Sequence, residues 1–165
     1  MSEGVDERRE QVHLNGRRQL RAPADAVWAT LFDPKVLCHC IPGCQRMQHI
    51  DDEHYVASLD VPIPLLSGEY KALIGVTEQL QPVSCRLTLE SNTRFGAVRA
   101  SGWLSLSGDG HVTTVSFDGD LDLGRFTSGG GVGIGGRLLA APARAMLDRF
   151  FLCLESNLAK GQTGP

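Results

Sequence analysis

Four side chains able to bind a metal or act as nucleophiles fall within one short stretch, CHCIPGC: Cys38, His39, Cys40 and Cys44. Thiolate sulfur and imidazole nitrogen are the usual ligands of zinc and of iron–sulfur centres. The spacing argues against such a centre. Structural zinc sites pair C-x-x-C knuckles at a distance, whereas Cys38 and Cys40 are separated by a single residue and no C-x-x-C is present. Cys85 and Cys153 stand alone, on what read as a strand and a helix. Cys38, Cys40 and Cys44 are therefore expected to be small, half-buried side chains at a helix end, leading into a Pro42-Gly43 turn.

A second motif, SGGGVGIGG at 128–136, satisfies G-x-G-x-x-G through Gly131, Gly133 and Gly136. Such a loop holds pyrophosphate when it follows a strand, opens a helix and sits in a βαβ unit, with an acidic residue about twenty positions on. Here the preceding strand reads as part of an antiparallel meander, and no strand-like run follows the helix. Nucleotide binding is not expected. The glycines instead let the backbone turn sharply and start a helix close to a sheet. A second reading makes 129–136 a mobile gate beside a cavity.

The remaining chemistry is sparse. Histidines 13, 39, 49, 54 and 111 fall at helix ends, turns or outward strand positions. No carboxylate pair, and no Ser or Cys beside a basic partner, occupies the inward strand positions. General acid–base and nucleophilic catalysis need such groups within hydrogen-bond reach.

These residues must be positioned by the elements that the hydrophobic pattern predicts. Val12 to Leu20 alternates as a strand would. ADAVWATLF, after Pro23, has helical spacing and ends at Asp33-Pro34; PKVLCHC begins a second short helix with Pro34 at its first position. From Gln45 onward the period becomes two, with turn signals at Asp51-Asp52, Ser67-Gly68, Gln81-Pro82, Asn92 and Gly108-Asp109-Gly110. Short turns between strands imply antiparallel pairing. A helix from about Gly133 to Lys160 closes the pattern, with Pro142 inside it and a kink expected there. The fold class is α+β: a curved antiparallel sheet of six to seven strands around a long C-terminal helix, with two short helices after the first strand. One domain is expected over residues 11–160, with flexible ends at 1–10 and 161–165.

Composition narrows the function classes. A formal net charge of −3 with no Lys/Arg run gives no field to hold nucleic acid. The N-terminus MSEGVDERRE lacks the apolar core of a signal peptide, and Phe126 to Ala143 has too many glycines for a membrane span. Five cysteines without an export signal point to reduced thiols and a cytoplasmic protein. Small residues recur on the inward face, at Ala57, Ala72, Ala100, Gly102 and Gly119. Either they leave an apolar cavity under the helix, or Met146, Phe150 and Leu154 fill that space.

Residues 20–44, LRAPADAVWATLFDPKVLCHCIPGC, resemble the opening of the CoxG proteins of carbon monoxide dehydrogenase, in which a strand leads through A-P, V-W and D-P to C-I-P-G. SGWLSL and GRLLAAPARAMLDRFFLCLE are also similar to that family, and the likeness spans residues 12–158. The resemblance implies the helix-grip fold of the birch-pollen allergen and START lipid-transfer domains, enclosing an apolar cavity. It implies a non-catalytic accessory protein for a molybdenum-containing CO dehydrogenase or related hydroxylase, carrying a quinone-type lipid or recruiting the enzyme to the membrane. No tightly held cofactor is implied beyond a bound quinone or lipid. The expected location is cytoplasmic, peripheral to the inner membrane, as a monomer or homodimer. VPIPLLSGEY at 61–70 departs from the family's glycine-containing turn, and Ile63, Leu65 and Leu66 there form either an apolar lip or an ordinary packed loop.

Alternation assigns Tyr55, Tyr70, Phe117, Leu121, Met146 and Phe150 as cavity walls, with Trp28 and Phe126 near the mouth. The alternative functions are an enzyme on the same fold, such as a polyketide cyclase, dehydratase or hydrolase, and a ligand-free protein–protein adaptor.

Overall fold

A computed structural model describes residues 11–61, 68–93, 96–122 and 135–163. Seven strands and three helices follow in the order β1 (Gln11–Leu20), α1 (Ala24–Leu31), α2 (Pro34–Cys40), β2 (Cys44–Asp51), β3 (His54–Val61), β4 (Gly68–Leu80), β5 (Ser84–Thr93), β6 (Gly96–Gly108), β7 (Thr113–Asp122) and α3 (Gly135–Thr163). All seven strands join one antiparallel sheet in the order β1-β7-β6-β5-β4-β3-β2. This is the α+β architecture that the alternation predicts, with β1 displaced to the far edge because α1 and α2 intervene before β2.

The short helices start and stop for local reasons. Asp33 is extended, as the residue before a proline prefers, and its side chain accepts a hydrogen bond from the Lys35 N–H at 2.9 Å. Pro34 thus opens α2 where its missing N–H costs nothing. Helix α3 runs through Pro142 and reaches Thr163, so 161–163 continue the helix rather than forming a loose end. Residues 1–10, Phe126, the glycine-rich 129–134, and Ile63, Leu65 and Leu66 lie outside the described residues.

Register gives the sheet two distinct ends. At one, Leu20 and Gly108 both pair with Thr113, and Leu80 pairs with Ser84. At the other, Val61 pairs with Gly68, Thr93 with Gly96, and Gln11 with Asp122. The first end is closed. There Val27, Trp28 and Leu31 of α1 pack with Leu104, Leu106 and Val115 of the sheet, and Leu154 and Leu158 of α3 complete the cluster. Burying a side chain such as Leu154 there contributes roughly 1.5–3 kcal/mol. Thr113, the one buried polar residue among those described, donates its hydroxyl to the Ala22 carbonyl at 2.6 Å.

Two cysteines correct the expectation of reduced thiols. Cys40, at the end of α2, is disulfide-bonded to Cys153 on α3, with Cα atoms 5.3 Å apart. The helix face carrying Cys153 packs against α2, a juxtaposition that a separation of 113 residues does not reveal.

Two inward glycines have a role other than leaving space. Gly102 and Gly119 pair across β6 and β7, and a Cβ on Gly102 would lie 2.6 Å from the Asp118 carbonyl oxygen and 2.7 Å from the Gly119 Cα. Their lack of side chains lets two backbones approach where the sheet curls.

Candidate functional site

The inward face of the sheet is packed at its closed end and less covered at its open end. Leu59, Tyr70, Leu89, Val98, Ala100 and Leu121 all point inward by alternation, remain half-buried, and lie outside the packed core cluster. The backbone of α3 comes within 8 Å, Cα to Cα, chiefly of α2, α1 and β1 at the flank of the sheet. The concave surface of the middle strands therefore meets the helix through side chains alone. Leu147 and Phe150 reach toward the core, and Met146 is half-buried beside them.

The expected wall residues separate into two groups. Tyr70, Leu121 and Met146 sit in the half-buried set at the open end, with Phe117 and Phe150 at its border with the core. Tyr55 and Trp28 belong to the packed core instead. Tyr55 is 3% exposed, donates its hydroxyl to the Phe32 carbonyl at 2.7 Å and stacks on His49 at 4.3 Å. His49, read as outward or at a turn, thus shares the inward face with Tyr55, at the exposed edge strand β2. Burial, with Asp33 nearby, raises the Tyr55 pKa, so the phenol stays protonated. Trp28 is 4% exposed and meets Phe32 edge-on at 4.9 Å, within the core rather than at a rim. Phe126 lies outside the described residues.

One charged residue on this face is not among the expected site residues. Arg18 occupies the inward phase of β1, between Gly16 and Leu20. Among the described residues it is the one Arg, Lys, Asp or Glu at an inward position of the regularly paired strands. Its guanidinium is ion-paired with Asp148 of α3, donates to the Arg17 carbonyl at 3.0 Å, and lies over the rings of Phe117 (6.0 Å) and Phe151 (5.6 Å). The signal was available in the sequence: Val12, Leu14, Gly16, Arg18 and Leu20 share one phase. A long polar side chain there reads as surface unless the phase is followed through.

The cysteine cluster does not assemble a metal centre. Cys40 is taken by Cys153, and the Asn157 amide lies 3.6 Å and 3.7 Å from the two sulfurs. Cys44 faces Cys38 and hydrogen-bonds the Arg46 carbonyl; burial, with the neighbouring Cys38 thiol, pushes its pKa up to about 12. Burial likewise pushes the Cys85 thiol up to about 11. Such groups are poor nucleophiles near neutrality. Among the described residues, no three His, Cys, Asp or Glu side chains converge as a metal site.

The convex face of the sheet carries a groove of about 460 Å³, lined by Val56, Lys71, Leu73, Glu90 and Arg99 among others. Glu90 and Arg99 are paired across it at 3.5 Å, and both are largely exposed. This mixed, charged surface is unlike the concave side.

Comparison with known proteins fits this geometry. The family model for CoxG, the G component of carbon monoxide dehydrogenase, matches residues 16–159. The chain belongs to that family. The CoxG match begins inside β1 and ends near the last turn of α3, so it spans both the closed core and the concave face. No curated protein matches the chain. Among solved structures, a conserved protein from Geobacillus kaustophilus superposes with a TM-score of 0.80 at 28% identity, over 90% of this chain and 96% of that one. The Zhui aromatase/cyclase from a Streptomyces species superposes at 0.68 with 15% identity, over 91% and 94% of the two chains. A START superfamily protein from Mycobacterium smegmatis gives 0.64 at 9% identity, over 90% and 97%. The last two show that this CoxG family member has the START-like, helix-grip fold. Among the described residues, no helix is long and apolar enough to cross a membrane.

Proposed function

We propose that the protein is a non-catalytic carrier that binds a quinone-type lipid in its concave apolar face and serves a CO dehydrogenase-type molybdenum hydroxylase at the membrane surface. One observation carries the binding part. An apolar surface built from Leu59, Tyr70, Leu89, Val98 and Leu121 stays half-buried outside the packed core, while the same sheet is fully packed at its other end. A concave apolar surface with few polar groups is the usual form of a small-molecule site. Family membership supports the partner, since the family's description names carbon monoxide dehydrogenase. The non-catalytic reading rests on the chemistry of the face. Among the described residues, its inward strand positions toward the open end carry no His, Asp or Glu. A resident cofactor has no part in this reading; the quinone is cargo.

Thermal unfolding with added short-chain menaquinone or ubiquinone analogues tests it. A ligand of the native state at a hundred times its Kd adds about 2.7 kcal/mol of stability. For a chain of this size that raises Tm by roughly 5–10 °C. Absence of a shift with quinones and lipids alike, from a folded protein, sinks the carrier reading in favour of an adaptor. Turnover of aromatic polyketides or esters by the purified protein would make it an enzyme.

A further inference from the structure

Arg18 is hard to explain as a structural residue. Its position is inward on β1, in phase with Val12 and Leu20, which are 5% and 1% exposed. An apolar side chain would pack there without any cost of desolvating a charge. The Arg18–Asp148 pair offers little stability in return, because the two side chains retain 35% and 57% exposure and such pairs are worth little.

The surroundings of the guanidinium point to another role. It leans over Gly16, where a Cβ would lie 3.6 Å from its Nη1 and 2.9 Å from the Phe117 ring. Gly16 pairs with Phe117, one step from Arg18 toward the open end of the sheet. The missing side chain at Gly16 thus makes the space in which the cationic head and the aromatic ring meet. Phe117 and Phe151 stack at 5.6 Å and 19°, forming a flat apolar wall beside the head. Asp148 and the Arg17 carbonyl engage two of the five N–H donors and fix the plane of the fork.

We propose that Arg18 is the polar anchor of the concave site, hydrogen-bonding a carbonyl oxygen of a flat ring ligand that lies along Phe117, with Asp148 as a positioning residue. The inference rests on the carrier reading and deepens it: it selects an oxygen-bearing ring over an acyl chain as the recognised part of the ligand. A cationic donor at a ligand oxygen gives discrimination, because an analogue without the oxygen leaves the guanidinium unmatched.

The test compares two probes of the same shape, 2-methyl-1,4-naphthoquinone and 2-methylnaphthalene, by calorimetric titration. The proteins are wild type, Arg18→Met, Arg18→Lys and Asp148→Asn, each with its Tm measured. Wild type is expected to prefer the quinone. Arg18→Met is expected to weaken quinone binding about tenfold or more while moving hydrocarbon binding less than about twofold. Arg18→Lys, which keeps the charge and is the fallback where Arg18→Met fails to fold, is expected to retain part of the preference, and Asp148→Asn to reduce it. Equal affinity of wild type for both probes, or parallel loss of both in Arg18→Met, overturns the anchor and leaves the carrier reading standing. Wild type that binds neither probe overturns both.

Discussion

Cys40 and Cys153 are disulfide-bonded across 113 residues of sequence, fastening the end of α2 to the middle of α3. Arg18 and Asp148 hold the same helix to β1, five residues earlier on α3. The half of α3 from Asp148 to Leu158 is thus fixed on both flanks above the closed core, whereas Met146 and the residues before it lie toward the open end.

Reduction should therefore loosen the grip of α3. A disulfide closing a loop of this length stabilises by about 4–5 kcal/mol on chain-entropy grounds, and measured values usually fall nearer 2–4. A reducing dithiol should lower Tm by roughly 5–15 °C. Cys153→Ser should show the same lowered Tm with no further response to reductant. Alkylation of the unfolded protein before and after reduction checks the bond directly: reduction should add two alkyl groups. An unchanged alkyl count would contradict the bond.

The acidic stretch of β7 should make His13 a late-titrating histidine. His13 sits between Asp120, whose carboxylate accepts from Nδ1 at 2.8 Å, and Asp118, 3.2 Å from Nε2. The hydrogen bond to Asp120 raises its pKa above 6.5, with the charge of Asp118 adding to it. The sign follows: the link between β1 and β7 is complete below pH 6.5 and is lost as pH rises through the raised value. In an NMR titration the His13 ring should titrate above 6.5, and Asp120→Asn should bring it back down. Titration at or below 6.5 in the native protein would refute the link.

Gly102→Ala should destabilise the sheet although the position faces a concavity. The added methyl meets the Asp118 carbonyl oxygen at 2.6 Å, and backbone atoms cannot swing aside. Overpacking of this kind costs about 1–3 kcal/mol. Urea unfolding should show that loss in the midpoint with the slope nearly unchanged. A neutral result would mean that the two strands are further apart than their pairing indicates.

Much of the fold was legible because its signals are local. The alternation of His54 to Leu59, the caps at Asp33-Pro34 and the turn at Gly108-Asp109-Gly110 each depend on neighbouring residues alone. The site was legible only in part. Tyr70, Leu121 and Met146 can be assigned to the concave side by phase, but phase does not show that the closed end is filled, so Trp28 and Tyr55 read as site residues when they are core. The small-residue argument likewise mixed two causes. Ala57, Ala72 and Ala100 are small side chains on the inward face, whereas Gly102 and Gly119 answer to a neighbouring backbone. The Cys40–Cys153 bond and the Arg18–Asp148 pair are tertiary meetings, and no periodicity announces which distant partner a residue will find.

The central claim is that the concave apolar face holds a quinone-type ligand. Native mass spectrometry of the freshly purified protein, followed by organic extraction and identification of whatever was bound, tests it most directly. The account predicts a non-covalent adduct whose extract contains a prenylated quinone, and, from stripped protein, recovery of the same adduct on adding a menaquinone analogue. Protein of bare chain mass that also takes up no quinone after stripping would contradict it.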